Sequence, residues 1–176
     1  YAVKMNRYAT HCKLLKDPET WWPSFWEHAS LLEDKLGPIL FQLPPRFGAT
    51  EENIGRLKSL EVVLPPEQHF AFEFRNSTWQ REHIEQLFTR NSWTAVTVHV
   101  CNKPAPWSRR TSSWTKLKDG WTDFGLPGKA AYIRVHGVDG QYSGTYQGVQ
   151  AGSDLVDLVL GHVTNATDAY VAFNNT

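Results

Sequence analysis

The chain has 176 residues, and its 18 Lys and Arg balance 18 Asp and Glu to a formal net charge of zero. That balance weighs against holding nucleic acid or an acidic membrane by bulk charge. A hydrophobic fraction of 41% with 20% charged residues suits a folded rather than a disordered chain, and no apolar run reaches the roughly 18 residues of a membrane span or reads as a signal peptide.

The first element is a strand at Ala2-Val3-Lys4-Met5-Asn6, where apolar and polar residues alternate. A helix is predicted from about Pro18, with Asp17 as N-cap and proline in the first turn. Trp22, Phe25, Trp26, Ala29 and Leu36 fall on one face of it, and Gly37 is placed to end it. The run Ile39-Leu40-Phe41-Gln42-Leu43 is a second strand, stopped by Pro44-Pro45. Ile54, Leu57, Leu60 and Leu64 mark the next helix, and Phe70 to Arg75 the third strand. Ile84, Leu87 and Phe88 indicate a helix, followed by strands at Ala95–Val100 and Ala131–Val135. A last helix carries Leu155, Val156, Val159 and Val163 ahead of a strand at Tyr170–Phe173.

Strands that alternate with helices at this spacing predict an α/β fold with a parallel sheet. Six strands suit either a doubly wound sheet or most of a barrel, and periodicity alone leaves both open. Residues 102–129 break the rhythm: Pro104, Pro106, Trp107, Arg109, Arg110, Trp114 and Trp121 follow no period. Such a segment reads as a substrate-contacting flap or as an insertion without a role.

Cys12 and Cys101 stand alone, outside any C-x-x-C spacing. This excludes a disulfide framework or a cysteine-based zinc site and predicts a reducing, cytoplasmic setting. The sequons at Asn76, Asn165 and Asn174 read as chance matches. With 8 Trp, 9 Phe and 6 Tyr, the aromatics serve as core anchors or as stacking surfaces. The helical spacing of several Trp favours the core.

Candidate chemistry gathers at strand ends, where α/β folds place their ligands. In Phe72-Glu73-Phe74-Arg75 a period of two puts Glu73 and Arg75 on one face, opposite two Phe. Charges inside an apolar strand are costly unless paired or used, so the pair is either an internal salt bridge or part of a site. The pattern recurs at Tyr132-Ile133-Arg134-Val135-His136-Gly137, with Arg134 and His136 sharing a face. Lys4 shares a face with Ala2 and Asn6, Arg7 needs a bend to join it, and His11 follows. Gln42 precedes the Pro44-Pro45 stop, and Asn174-Asn175 close the last strand. Their amides can orient a substrate or satisfy backbone. Lys4, Arg7, Gln42, Glu73, Arg75, Arg134, His136 and Asn175 together form a net-cationic set suited to a phosphate or carboxylate. Glu73 is the natural general base or metal ligand and His136 assists proton transfer. P-loop, dinucleotide-binding, zincin and nucleophile-elbow motifs are absent.

The strings Ala-Val-Lys-Met-Asn-Arg-Tyr-Ala-Thr-His (2–11), Gly-Pro-Ile-Leu-Phe-Gln-Leu-Pro-Pro (37–45), Phe-Glu-Phe-Arg-Asn-Ser-Thr-Trp (72–79), Tyr-Ile-Arg-Val-His-Gly (132–137) and the terminal Phe-Asn-Asn resemble, in order, the domain of unknown function 72 family, the YecE-like proteins. The resemblance implies one TIM-type β/α barrel domain over 1–176, partial, with about six of eight β-α units present. A full barrel takes about 250 residues. Two units before Ala2 and a helix beyond Asn175 would be lacking. The family usually has an acidic residue after the fourth strand read here, where this chain has His99 and Cys101. The resemblance brings no agreed reaction. The functional expectation is a hydrolase or lyase acting on a small phosphorylated or otherwise anionic substrate, with room for a divalent metal. The alternative is a non-catalytic module for an anionic metabolite or nucleic acid, gripped through Arg109 and Arg110, with nucleic acid the less favoured partner.

Overall fold

The computed structural model describes residues 1–79, 82–99, 121–122, 130–136, 156, 160 and 168–173. In chain order these form β1 (Val3–Lys4), a π-helical turn (Tyr8–Cys12), α1 (Pro18–Ala29), β2 (Ile39–Gln42), α2 (Glu51–Val63) and β3 (Phe70–Glu73). They continue with α3 (Glu82–Asn91), β4 (Thr94–Ala95), β5 (Thr97–His99), β6 (Trp121–Thr122), β7 (Ala130–Val135) and β8 (Asp168–Phe173). Val156 and Leu160 are helical and exposed.

One sheet runs β1-β2-β3-β4 and the other β6-β5-β7-β8. All pairs are parallel except β5–β6. β4 and β5 are halves of the strand expected at 95–100, interrupted at Val96, whose N–H still reaches the Phe72 carbonyl at 2.9 Å. That strand therefore joins the two sheets, and Thr94 adds a hydroxyl bond to the Ala130 carbonyl at 2.6 Å. Parallel strands follow one another in chain order across the junction.

The two faces bury different sets of side chains. Ile39, Phe41, Phe70, Phe72, Phe74 and Ala95 point into an aromatic-rich core with Trp21 and Trp22 of α1, Ile54, Leu57 and Leu60 of α2, and Leu87 and Phe88 of α3. Leu40, Ala71, Val96, Val98 and Tyr132 form a smaller cluster on the opposite face, joined by Tyr170 and Ala172. Strands covered on both sides should be apolar throughout, and β2 and β3 are buried at every position. The expected role of the aromatics as anchors holds for Trp79, which stacks on Phe74 at 4.6 Å and on Phe47 at 5.2 Å. Its indole N–H donates to the Phe47 carbonyl at 2.6 Å. A buried Trp needs such a partner for its N–H.

Local chemistry explains the helix ends. Thr50, extended at φ −77°, accepts the Asn53 N–H at 3.2 Å and caps α2. Ser92 sits just past α3 at φ 53°, with Trp93 N–H bonding the Phe88 carbonyl at 2.9 Å and Ser92 N–H the Thr89 carbonyl at 3.2 Å. This is a Schellman closure with serine where glycine fits best.

Three expectations need correction. Asp17 does stand at the N-cap of α1 with proline in the first turn, but at a left-handed φ of 52° and without a cap bond through its side chain. Gly37 does not end the first helix, which stops at Ala29 and gives way to a 3-10 stretch, Ser30–Lys35, broken at Glu33 with φ 49°. Gly37 instead permits a close approach: a Cβ there would lie 3.0 Å from the Tyr1 carbonyl oxygen and 3.3 Å from the Tyr170 ring. Within the segment read as irregular, Trp121–Thr122 adds an antiparallel strand against Val98 and His99. The remainder of 102–129, Arg109 and Arg110 included, lies outside the described residues.

Candidate anion site at the strand ends

The parallel register aligns Gln42 at the end of β2 with Glu73 at the end of β3. Both lie on the face of Leu40 and Ala71, because side chains two residues apart share a face. Phe72 and Phe74 point the other way, into the helix-covered core. On β7 the same alternation carries Tyr132, Arg134 and His136 on this face, while Arg134 pairs in register with Val98 and Ala172.

These residues meet around one carboxylate. Glu73 is 0% exposed. One of its oxygens accepts the Arg75 Nε–H at 2.8 Å, and the other accepts from Arg134, which also reaches the Gln42 Oε1 at 3.4 Å. The Glu73–Arg134 pair crosses from one sheet to the other, past the strand that carries Val96. Parallel neighbours lie about 4.8 Å apart, and the long Arg134 side chain spans the gap.

Burial pushes the Glu73 carboxyl up, but Arg75, Arg134 and then His136 outweigh it, and its pKa falls from 4.5 to about 2. The carboxylate stays charged at neutral pH, as expected of an acid with two guanidinium partners. Gln42, Arg75, Arg134 and His136 are all buried around it.

A second group of charges lies at the same ends. Lys4 pairs in register with Leu40. Beyond it the chain bends, as Arg7 requires: Asn6 Oδ1 accepts the Ala9 N–H at 2.9 Å, and the π turn Tyr8–Cys12 follows. His11 rides on this turn, half-buried, and the Arg46 guanidinium from the loop after β2 donates to its carbonyl. Burial pushes the His11 pKa down, followed by the fields of Arg7, Lys4, Arg75 and Arg46. Among the described residues, no carboxylate pairs with Lys4, Arg7 or Arg46.

The chain then turns back through Leu14 and Leu15, both at left-handed φ, 51° and 62°. Such backbone costs roughly 1–3 kcal/mol per residue. It is held here by full burial of Leu15 and by its N–H bond to the Ala9 carbonyl at 3.0 Å.

Of the residues read as candidates, Gln42, Glu73, Arg75, Arg134 and His136 come together around the carboxylate. Lys4, Arg7 and Arg75 act on His11 through their fields, and Asn175 lies outside the described residues. Arg46 and the clustering about His11 were missed; their one signal is a cation just past the Pro44-Pro45 stop. A divalent metal fits this donor set poorly. Both Glu73 oxygens accept from guanidinium groups, and no group of three or more His, Cys, Asp or Glu converges as metal ligands among the described residues. A separate groove of about 680 Å³ lies between β1 and α1, lined by Asn6, Tyr8, Trp21, Phe25 and His28. It is mostly apolar and holds none of the residues around Glu73. No described helix is long and apolar enough to cross a membrane.

The sequence matches the family described as "Protein of unknown function DUF72" over residues 1–176. The chain belongs to the DUF72 family. Among solved structures it is similar to a DUF72 family protein from Thermotoga maritima, with a TM-score of 0.76 and 23% identity over 99% of this chain and 66% of that one. A DUF72 family protein from Enterococcus faecalis matches with a TM-score of 0.70 and 21% identity over 98% of this chain and 66% of that one. This DUF72 chain thus spans just under two thirds of the length of either, and at such identities the likeness is one of α/β fold. No curated protein matches.

Proposed function

We propose that the chain forms about six of the eight units of a TIM-type β/α barrel in one domain, with a site for a small anionic substrate at the C-terminal ends of its strands. Supporting the barrel, parallel strands follow in chain order, with helices packed on one face and a small cluster on the other. Supporting the site, one buried carboxylate is shared by Arg75 and Arg134, and Lys4, Arg7 and Arg46 stand at or just past the ends of the neighbouring strands β1 and β2, in a chain whose charge is otherwise balanced. That local cationic excess is the observation that carries the reading. Guanidinium pairs recognise phosphate and carboxylate groups by paired, charge-assisted hydrogen bonds.

In this reading the substrate is a phosphorylated or carboxylated metabolite and the reaction a hydrolysis or lyase cleavage. Glu73 orients Arg75 and Arg134 instead of acting as base, because a group with a pKa of about 2 takes up protons poorly at neutral pH. Gln42 and His136 stand beside the pair as polar contacts.

The test is thermal unfolding of the protein with phosphorylated metabolites beside their dephosphorylated counterparts. A ligand at a hundred times its Kd stabilises by about 2.7 kcal/mol, which is about 5–10 °C in a domain of this size. Stabilisation by the phosphorylated members alone, lost in Arg7→Ala, supports the site. Equal responses to both sets, or none, overturn it.

A further inference from the structure

His11 is a half-buried titratable ring near the cations at the ends of β1, β2 and β3, and its hydrogen bonding fixes its tautomer. The Thr10 hydroxyl donates its single proton to the Asn6 carbonyl at 2.9 Å. The same oxygen lies 2.9 Å from His11 Nδ1. With its proton committed, Thr10 Oγ can only accept there, so Nδ1 carries the hydrogen of the neutral imidazole and Nε2 keeps the basic lone pair.

The charged groups acting on the ring come from each surrounding element: Lys4 from β1, Arg7 from the bend before the π turn, Arg46 from the loop after β2, and Arg75 from the segment after β3. All four are cations. Burial is the first obstacle to a positive charge on the ring, and the four cations, of which Arg75 is paired with the Glu73 carboxylate, add to it.

We propose that Lys4, Arg7, Arg46 and Arg75 take the dianionic phosphate group of a phosphate monoester, and that its binding is coupled to uptake of one proton at His11 Nε2. The inference rests on the anion-site reading above and adds the ligand's charge state and the group that answers it. A dianion cancels the cations' share of what keeps the ring neutral, so the ring's affinity for a proton rises when the site fills. By linkage the reverse holds equally: a protonated His11 binds the dianion more tightly. The bound state thus holds an imidazolium together with the phosphate dianion.

Inorganic sulfate is the probe, because it remains a dianion across the pH range in which histidine titrates. Its affinity is measured by calorimetry from pH 5 to 8, in buffers of differing ionisation enthalpy, and the His11 ring is followed by NMR. Expected is an uptake of up to one proton per sulfate, a rise of the His11 titration midpoint by at least about one pH unit and, correspondingly, an affinity about tenfold or more higher at the acid end. His11→Gln assigns the resonance and should abolish the proton uptake while sulfate still binds. Thr10→Val should leave binding intact and move the midpoint. Sulfate binding with no proton uptake in the wild type overturns the coupling alone and leaves the anion site standing. No binding at any pH overturns both.

Discussion

Replacing Glu73 by glutamine tests the buried charge centre because it keeps the shape and removes the charge. In the wild type the carboxylate is fully buried between Arg75 and Arg134, with a pKa of about 2 against an ordinary 4.5. At 1.36 kcal/mol per pH unit that gap is worth about 3 kcal/mol of folding free energy at neutral pH. The folded pKa is the lower one, so this contribution is complete above pH 4.5 and is lost as pH falls toward 2. Breaking a buried pair from one side costs about 3–5 kcal/mol, since it strands the partner's charge. Here two guanidinium groups lose the same carboxylate. Glu73→Gln should therefore lower stability at pH 7 by about 3–5 kcal/mol in urea unfolding. Between pH 7 and pH 3 the gap to wild type should narrow by about 2 kcal/mol, because the wild type loses most of its carboxylate contribution over that range. Other acids titrate in both proteins and cancel in the difference. A gap that is small at pH 7, or that stays constant down to pH 3, would refute the argument.

Three further outcomes follow from the packing. Ser92→Gly should stabilise the protein by about 1 kcal/mol in chemical unfolding, because glycine carries no penalty at the left-handed position that closes α3. Thr50→Ala should cost about 1 kcal/mol by removing the cap of α2, and Thr50→Ser should restore most of it. Trp79→Phe keeps a ring against Phe74 and Phe47 but leaves the buried Phe47 carbonyl without its indole donor. It should cost about 2 kcal/mol, read by the same unfolding assay.

Period-two alternation made much of the site legible. Phe72 and Phe74 against Glu73 and Arg75, and Ile133 and Val135 against Arg134 and His136, reveal which side chains leave the helix-covered face. Alternation also located β3 and β7 to within a few residues, and the apolar run ahead of Pro44-Pro45 located β2. Alternation could not show that Arg134 reaches Glu73, because that contact crosses between two sheets past a strand interrupted at Val96. The Arg46–His11 contact was hidden for another reason: it depends on a π turn and a left-handed return at Leu14 and Leu15, conformations with no sequence period. Gly37 was misread because the sequence shows a helix-stopping residue but not the Tyr1 and Tyr170 atoms that need its missing side chain. The order of short strings carried the family, while the reaction left no motif to find.

The claim that cations at the strand ends hold an anion is tested most directly by crystals soaked in selenate, whose selenium scatters anomalously. The account predicts an anomalous peak within hydrogen-bonding distance of Arg7 and Arg46, with Lys4 or Arg75 closing it, and loss of that peak in Arg7→Ala crystals. Saturating selenate that leaves this cluster empty, or binds equally well in the variant, would contradict it.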